Sequence, residues 1–492
     1  MKVAVSEDIG RLLKQRIPLI ALESTQEKHV LELLQTLCQE QRQTLYRWSL
    51  SDGFDTLGFG PRIAKTAEPQ SPTETLKAIK ARNQGGVFVL CDFHPHWESE
   101  PLNVRLLKDI ALDFDNIEKH VVLLSHRLQA PPELAPYMAY AKLTLPDDDE
   151  ILSIVRQEAQ RYVSRSDTNR IKTDPAALKQ LVSNLRGLAH KDVARLAYHA
   201  IADDGVIDTS DIPQVNSAKF ALLNHQGLLS YQFDTEKMAN VGGLHNFKHW
   251  LSEREKAFSG ESSLPTPKGV LLLGVQGGGK SLAAKAVAGL WGLPLLRLDM
   301  GSLYNKFVGE TEKNLRDSLA QAEVMSPCVL WLDELEKAMS SGSSDDGVSK
   351  RMLGYFLTWM AEHKSQVFMV ATSNDISRLP AELVRKGRFD EIFFVDLPDT
   401  EVRKDIFIIH LEKRGISHAG MDLNRVAEAA QGFSGAEIEQ AVISALYAAE
   451  EDKTISEDDL IQAIFKTTPL SVVMAEQIQS LRNWASDRAV VA

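Results

Sequence analysis

The eight residues GVQGGGKS, positions 274–281, decide the fold of this chain. An apolar run at residues 268–273 precedes them and predicts a short buried strand, and a helix-forming run follows from Leu282. The pattern G-x-x-x-x-G-K-S is typical of a phosphate-binding loop, since glycines let successive backbone N–H groups turn towards phosphate oxygens. A chance match in a glycine-bearing turn is the alternative, and the flanking strand and helix argue against it. The sequence therefore predicts a nucleotide-binding α/β domain.

Each residue type in this loop has its own part in the predicted chemistry. The glycines at 277–279 would cradle the phosphates with their N–H groups. Lys280 would reach the β- and γ-phosphates, and the hydroxyl of Ser281 would ligate Mg²⁺. The helix from Leu282 would add the positive end of its dipole.

Two further apolar runs end on polar residues that suit the same site. Residues 328–332 lead to Asp333 and Glu334. An aspartate at the carboxyl end of a strand can hold Mg²⁺ through water, and an adjacent glutamate can orient the attacking water. Residues 367–372 lead to Ser373 and Asn374, whose amide could touch the γ-phosphate or that water. Without the phosphate loop, such residues would indicate only the start of a solvated loop.

The order of the motifs between residues 240 and 464 resembles the AAA clade of AAA+ ATPases. The motifs are NVGGL, GVQGGGKS, NKFVGETEKNLR, VLWLDELEK, ATSN, LVRKGRFDEIFFVDLPD and GFSGAEI. Together with SPCVLWLDELEKA and the tail PLSVVMAEQIQSLRNWASDRAV, they resemble a narrower group, conserved as an unassigned reading frame in algal plastids and cyanobacteria, with bacterial relatives. The resemblance implies an α/β P-loop module with a helical lid, ATP and Mg²⁺ as cofactors, and a homo-oligomeric ring of six subunits.

The resemblance also implies the roles of individual residues. Asp333 would be the Walker B metal residue, Glu334 the catalytic glutamate and Asn374 sensor 1. Arg385 and Arg388 would be arginine fingers that complete the site of a neighbouring subunit, with an exposed basic loop as the alternative. Ser281 and Asp333 would hold the metal, and the residues implied to contact the nucleotide are Val241, Gly242, Gly274, Gln276, Gly277, Gly278, Gly279, Lys280, Ser281, Leu282, Asp333, Gly435 and Ala436.

The phosphate loop departs from the clade at three positions. Val275 and Gln276 replace the usual pair of prolines, and Gly278 replaces a threonine. These changes remove no phosphate-binding N–H and no catalytic side chain, so we expect ATPase activity to be retained.

The N-terminal half repeats the order of these landmarks without their chemistry. Residues 86–91 predict a strand ending on Asp92, which we align with Asp333, and Phe93 then stands where Glu334 stands. Farther on, LRGLAHKDVARLAYHAI parallels AQGFSGAEIEQAVISAL of the lid. Generic α/β repetition is the alternative, because every parallel sheet alternates strands and helices.

The first turn of the N-terminal half, ESTQEKHV at residues 23–30, contains no glycine. Glu23 and Glu27 would repel phosphate, and Lys28 beside His29 is a weak echo of the loop lysine. We therefore expect a degenerate AAA-like module that does not hydrolyse ATP.

The expected organisation is a degenerate module at residues 1–212, a linker at 213–239, the ATPase large subdomain at 240–398, and a lid with a C-terminal helix at 399–492. Within the first module, residues to about 150 would be α/β and residues 151–212 helical. The spacing at 216–233 predicts a helix, and 470–491 predicts one amphipathic helix packed on the lid rather than on a membrane. Residues 94–97, HPHW, are read as a loop without metal.

Composition limits the class of protein. The chain has 492 residues, a net charge of −12 and 44% hydrophobic residues, which suits a multidomain globular protein and argues against nucleic-acid wrapping. Three scattered cysteines exclude a disulfide framework and favour buried thiols in a reducing compartment. The first residues, MKVAVSEDIG, form no signal peptide, and no apolar stretch is long enough to span a bilayer. We expect a cytoplasmic protein without a membrane partner.

The target of the motor is the least determined property. Lys306, Phe307 and Val308 lie where the AAA clade carries a pore loop, and Phe307 would grip an extended polypeptide. The alternative is that Phe307 packs under its own helix. Three functions follow: a ring that remodels or unfolds proteins, an ATP-driven assembly switch that signals to a partner, and, least favoured, a nucleic-acid motor. The protein client or regulatory partner is not readable from the sequence.

Overall fold

The computed structural model describes most of the chain, as two compact units. One unit comprises residues 1–158 with 188–195, and the other comprises residues 159–187 with 196–492. The described residues are 4–24, 26–57, 71–143, 145–166, 171–224, 228–233, 235–303, 310–339, 346–385, 387–449 and 455–492.

The first unit is built around one sheet. Its described strands are β1 (Leu19–Glu23), β2 (Leu45–Ser49), β3 (Gly53–Leu57), β4 (Gly86–Cys91), β5 (Lys119–Ser125) and β6 (Met138–Lys142). They are ordered β3-β2-β4-β5-β1-β6, with β3 antiparallel to β2 and the other neighbours parallel. Every residue of β4 and β5 is buried, as expected for the centre of a parallel sheet covered on both faces.

Helices cover both faces of this sheet. They are α1 (Ala4–Lys14), α2 (Glu27–Glu40), α3 (Pro72–Ala81), α4 (His94–Ser99), α5 (Pro101–Leu112) and α6 (Asp148–Val163). Leu19 and Ala21 pack with α3 and α5, whereas Ile20 and Leu22 pack with α1 and α2. The two faces therefore follow the two-residue period of a strand.

The second unit contains a larger sheet and a separate helical core. Its strands are β7 (Lys172–Thr173), β8 (Val206–Ile207), β9 (Leu229–Gln232), β10 (Gly269–Gly274), β11 (Leu295–Asp299), β12 (Cys328–Asp333), β13 (Val367–Ser373), β14 (Glu391–Val395) and β15 (Val490–Val491). The order in the main sheet is β15-β14-β10-β13-β12-β11-β9, and only β9 pairs in the antiparallel direction. The short β7 and β8 pair with each other.

The remaining helices include those that cover the larger sheet and those that form the separate helical core. They are α7 (Pro175–Leu185), α8 (His190–Ala202), α9 (Asp211–Leu223), α10 (His245–Phe258), α11 (Lys280–Trp291), α12 (Glu310–Val324), α13 (Leu335–Met339), α14 (Asp346–Glu362), α15 (Thr400–Glu412), α16 (Leu423–Ala429), α17 (Gly435–Ala448), α18 (Glu457–Phe465), α19 (Leu470–Val473) and α20 (Ala475–Ala485). Helices α10 and α11 pack on one face of the sheet, and α12 and α14 on the other. Helices α15–α18 enclose a core of their own, which is the predicted lid.

The two sheets share one strand order. Without its edge strand β3, the first sheet reads β2-β4-β5-β1-β6, and without β9 and β15 the second reads β11-β12-β13-β10-β14. When the strands are counted along the chain within each unit, both orders are second, third, fourth, first, fifth. The prediction of a P-loop α/β module with a helical lid, preceded by an AAA-like α/β module, is confirmed.

The strand ends shift the predicted alignment of the two modules by one residue. Strand β4 ends at Cys91 and β12 ends at Asp333, and the next residue in each case, Asp92 or Glu334, has a positive φ, 51° or 53°. Cys91 thus corresponds to Asp333, and Asp92 to Glu334. The alignment of Asp92 with Asp333 and of Phe93 with Glu334 is wrong, because Cys91 completes the buried strand and the acidic residue follows it.

Three local predictions are also wrong. Residues 94–99 form helix α4 rather than a loop. The helix expected at 216–233 covers only α9 up to Leu223, and β9 at its far end joins the sheet edge beside β11. The tail is not one helix on the lid, because Leu481 and Ala485 of α20 pack against Leu273 and Phe394 of the large sheet and β15 pairs with β14.

No helix in the described part of the chain is both long enough and apolar enough to cross a bilayer.

Candidate functional site

The loop between β10 and α11 has the backbone of an anion-binding turn. Gly277 and Gly279 have φ angles of 75° and 96°, a region that favours glycine, and α11 begins directly after the loop at Lys280. Gly277 is also constrained by space, since a Cβ there would lie 2.9 Å from the Oγ of Ser434. The turn is closed by the N–H of Gly278, which donates to the carbonyl of Val275 at 3.1 Å.

Lys280 is buried at the centre of this loop. Its Nζ donates to the carbonyls of Gly274 and Val275, both at 2.8 Å. Burial lowers the pKa of the ammonium to about 8, and the carboxylates of Glu336 and Asp333 partly offset that shift. The cation is therefore held inside the phosphate loop at the expense of its hydration.

The end of β12 places two carboxylates beside the loop. Asp333 Oδ1 accepts a hydrogen bond from Thr372 Oγ1 at 2.9 Å, and Oδ2 accepts one from Arg297 Nη2 at 2.7 Å. The N–H of Glu334 donates to the same Thr372 hydroxyl at 3.3 Å. Lys337 Nζ lies 2.5 Å from Glu334 Oε2, and this contact raises the pKa of Lys337.

The end of β13 is tied to the same region through Glu336. Its side chain is buried, and its Oε1 accepts the backbone N–H of Asn374 at 3.1 Å. This bond fixes the position at which the Asn374 side chain enters the site.

A cavity of about 440 Å³ joins these groups. Of the residues predicted to contact the nucleotide, those that line the cavity are Val241, Gly242, Gln276, Gly277, Gly278, Gly279, Lys280, Ser281, Leu282, Asp333, Gly435 and Ala436. The predicted catalytic Glu334 and Asn374 also line it, whereas Gly274 contributes the carbonyl that accepts from Lys280.

The lid forms the opposite wall of this cavity. The N–H of Ala436, in the first turn of α17, donates to the carbonyl of Gly277 at 3.2 Å. Ile406 of α15 lies so close to Gly242 that a Cβ there would be 2.6 Å from its Cγ1. The lid also contributes His410, whose pKa is lowered by burial and partly restored by the carboxylate of Glu439.

The predicted arginine fingers lie outside this cavity of their own chain. Both follow β13, in the segment that leads to β14. Arg385 is exposed, and Arg388 Nη1 donates to the carbonyl of Leu357 at 3.1 Å. The predicted pore-loop residues, Lys306, Phe307 and Val308, lie outside the described residues.

The sequence prediction missed several residues that organise the site. Thr372 stands directly before the Ser373-Asn374 pair, and Glu336 is the third acid of the DELE run. Arg297 is a single cation in the apolar strand LLRLD, and a charge in a buried strand requires a partner. The sequence around each of these three residues therefore indicated a role in the site, although none of them belongs to the phosphate-loop pattern.

In the first unit, the turn at the corresponding place is shorter and contains no glycine. The turn between β1 and α2 contains only residues 24–26, against residues 275–279 in the phosphate loop. Helix α2 begins at Glu27, where α11 begins at Lys280. The N–H of His190 donates to Gln26 Oε1 at 3.1 Å, and its ring stacks on His29 with the centroids 3.9 Å apart.

Comparison with known proteins finds three family descriptions that match successive parts of the chain. The description "SpoVK-like AAA ATPase, N-terminal domain" matches residues 5–143, the second domain of the same group matches 149–226, and "ATPase family associated with various cellular activities (AAA)" matches 270–397.

Relatives resemble this chain over different lengths. The AAA domain-containing protein ycf46 of Trieres chinensis is 35% identical over 491 residues, which are 98% of this chain and 96% of that protein. The ATP-dependent zinc metalloprotease FtsH of Mycoplasma genitalium is 32% identical over 243 residues, covering 47% of this chain and 34% of the relative. The proteasome-activating nucleotidase of Methanococcus maripaludis is 34% identical over 244 residues, covering 46% of this chain and 59% of the relative.

Proposed function

This chain belongs to the AAA family of ATPases, in the group that contains the ycf46 proteins, and we propose that it forms a hexameric ring that uses Mg²⁺-dependent ATP hydrolysis to remodel or unfold proteins. The AAA domain makes the chain an ATPase. The observation that carries the proposal is the convergence of a phosphate loop, two strand-end carboxylates and an asparagine on one cavity.

The donor set of the cavity suits a nucleotide with Mg²⁺. The hydroxyl of Ser281 and the carboxylate of Asp333 are hard oxygen ligands of the kind that Mg²⁺ prefers. Bound Mg²⁺ would neutralise charge on the phosphates during transfer. The N–H groups of residues 277–279 and the ammonium of Lys280 would hold the phosphates from the other side.

Glu334 and Asn374 are the residues that would act on the attacking water. Both residues line the cavity, and the backbone N–H of each is hydrogen-bonded. The N–H of Glu334 donates to the Thr372 hydroxyl, and the N–H of Asn374 donates to the Glu336 carboxylate. Glu334 would orient the water for in-line attack, and the Asn374 amide would hold the γ-phosphate or that water. Most of the rate enhancement would come from this positioning.

The arginines at 385 and 388 support a site shared between subunits. Neither lines the cavity of its own chain, and Arg385 is exposed to solvent. An arginine supplied by a neighbour would stabilise the charge that develops in the transition state. Assembly would then be required for full activity, which is why we include a ring in the proposal.

The protein client is inferred from relatives and from one side chain. The names of FtsH and of the proteasome-activating nucleotidase connect their ATPase domains to proteolysis. Phe307 would grip an extended polypeptide without reading its sequence. The second candidate function is an ATP-driven switch that signals by its assembly state.

The decisive experiment presents the full-length protein with a folded fluorescent protein that carries an unstructured tail. We expect fluorescence to fall with ATP and Mg²⁺ but not with ADP. Glu334→Gln is the matched control, because it should bind ATP and assemble while it hydrolyses very little. The opposite result would favour the switch. In that case the wild-type protein would hydrolyse ATP and assemble, but it would not unfold any tailed substrate, and no tailed substrate would stimulate its hydrolysis.

A further inference from the structure

The cation Arg297 lies against the carboxylate of Asp333, although it belongs to no nucleotide-binding motif. The two residues form an ion pair of 2.7 Å, with 37% of the Arg297 side chain and 12% of the Asp333 side chain exposed. Arg297 stands directly opposite Trp331 in the β11–β12 pair, so Asp333 is its diagonal neighbour on the same face of the sheet. The guanidinium also lies 4.9 Å from the centre of the Trp331 ring.

Both oxygens of the Asp333 carboxylate are therefore engaged. One accepts from Thr372 and the other from Arg297. A carboxylate has about four acceptor positions, so two remain for water molecules of a hydrated metal ion. Arg297 can thus stay in contact while Mg²⁺ is present, but its positive charge weakens the attraction of Asp333 for a second cation.

The first unit contains an arginine at the same structural position. In the β2–β4 pair, Arg47 stands opposite Val89, which lies two residues before Cys91. In the β11–β12 pair, Arg297 likewise stands opposite the residue that lies two positions before Asp333. Arg47 Nη2 donates to Asp52 Oδ2 at 2.8 Å and also lies 3.5 Å from Oε1 of Glu27, the residue that begins α2 where Lys280 begins α11. Cys91 in the place of Asp333 is a buried thiol whose pKa is raised to about 12 by that burial.

The two arginines therefore occupy one position with different partners. In the second unit the arginine pairs with the aspartate at the strand end, and in the first unit it pairs with Asp52, which follows β2, and lies near the glutamate at the helix start. The shared strand order places an arginine at this position in both units, and the carboxylates nearby determine which residue the arginine pairs with.

We propose that Arg297 is a positioning residue that holds and charge-balances the carboxylate of Asp333, so that Mg²⁺ binds strongly only together with nucleotide phosphates. The inference rests on the proposed role of Asp333 in holding Mg²⁺. Without Arg297, the charge of Asp333 would face the phosphate loop uncompensated. Nucleotide without metal would then bind more weakly, and Mg²⁺ would bind more tightly.

The test measures metal and nucleotide binding by the full-length protein rather than turnover. A fluorescent ADP analogue gives the affinity in EDTA and the Mg²⁺ concentration that half-saturates its metal-dependent signal, and paramagnetic resonance of Mn²⁺ reports the metal directly. We expect Arg297→Gln to weaken metal-free ADP binding about three- to fivefold and to lower the half-saturating Mg²⁺ concentration by a similar factor, as expected for a partly exposed ion pair. Arg297→Lys should remain near wild type.

Three controls separate this role from a structural one. Arg297→Met keeps the apolar stem on Trp331. If the Arg297→Gln protein is unstable, Arg297→Met should show the same changes in binding that are expected for Arg297→Gln. In an Asp333→Asn background, Arg297→Gln should have no further effect, because the charge it balances is gone. Arg47→Gln, the matched change in the first unit, should leave both binding constants unchanged.

Several outcomes would overturn the inference. They are a stable Arg297→Gln or Arg297→Met protein with unchanged binding constants, a higher Mg²⁺ requirement, or an undiminished effect in the Asp333→Asn background. If Mg²⁺ affects neither nucleotide affinity nor hydrolysis in the unaltered protein, the proposed metal role of Asp333 fails and the inference fails with it. If wild type depends on Mg²⁺ and the Arg297 variants do not shift that dependence, only the inference fails.

Discussion

Replacing Lys280 with methionine should abolish nucleotide binding and make the nucleotide-free protein more stable. The buried ammonium has its pKa lowered from 10.5 to about 8. Each pKa unit corresponds to about 1.4 kcal/mol, so the charged form destabilises the folded state by roughly 3 kcal/mol near neutral pH. Its two hydrogen bonds to the loop carbonyls of Gly274 and Val275 return about 1 kcal/mol each. The net gain expected from Lys280→Met is therefore about 1 kcal/mol.

The effect should depend on pH in a defined direction. Below about pH 8 the lysine is charged in both the folded and the unfolded protein, so the penalty for burying the charge is fully present. Between about pH 8 and 10.5 the folded protein loses this proton first, and the stability of the wild type rises towards that of the variant. The advantage of Lys280→Met should therefore shrink as pH rises through this window.

Thermal unfolding of the nucleotide-free protein provides the measurement. The relevant transition is the one that ADP with Mg²⁺ raises in the wild type. At pH 7 its midpoint should be about 2–4 °C higher in Lys280→Met, as a change near 1 kcal/mol produces in a large domain. Lys285→Met, a half-buried lysine of the same helix α11, is the matched control and should be near neutral. A lower midpoint for Lys280→Met, or a difference that does not change between pH 7 and 10, would refute the reasoning.

Two further predictions concern assembly and the client. Arg385→Ala and Arg388→Ala should each leave ATP binding intact and reduce turnover, since an arginine finger contributes roughly 10³–10⁵ in rate. Mixing either variant with Lys280→Met should restore some hydrolysis, and no recovery at any ratio would contradict a shared site. Phe307→Ala should keep basal turnover and lose stimulation by an unfolded protein. If Phe307 is instead a core residue, its truncation should destabilise the protein by about 3–5 kcal/mol, and stability and basal activity would fall together.

The parts of the site that were predictable from the sequence are those fixed by local backbone requirements. The phosphate loop needs glycine at 277 and 279 because of positive φ, and its lysine and serine follow at fixed positions on the helix. The strand-end residues Asp333 and Asn374 were also found, because an apolar run of strand length shows where it stops. Local pattern was sufficient wherever the function depends on neighbours in sequence.

The parts that were not predictable depend on contacts between distant segments. Arg297 meets Asp333 only because β11 pairs with β12. The register that aligns Asp92 with Glu334 depends on where each strand ends: β4 ends with its apolar run at Cys91, whereas β12 extends one residue beyond its run, to Asp333. The tail was assigned to the lid because its amphipathic spacing shows that one face is buried, but not which surface covers that face. Its partner, around Leu273 and Phe394, appears only in the folded chain.

The first unit shows how little of the chemistry follows from strand order alone. It has the same order of strands as the second unit, but its turn is two residues shorter and its helix begins with Glu27 instead of Lys280. His29, in the first turn of that helix, stacks on the ring of His190. Burial and the nearby His29 lower the pKa of His190 to about 4, so His190 stays neutral at physiological pH.

A double substitution tests whether side chains or backbone prevent nucleotide binding there. Glu27→Lys with Cys91→Asp would restore the two charges of a phosphate site at their corresponding positions in the first unit. We expect no ADP binding at this unit in a Lys280→Met background, because the short turn lacks the glycines that aim N–H groups at phosphate and because Gln26 already holds the N–H of His190. The measurement is titration with a fluorescent ADP analogue, with Lys280→Met alone as the control. Saturable binding by the triple variant would show that charge, and not the geometry of the loop, separates the two modules.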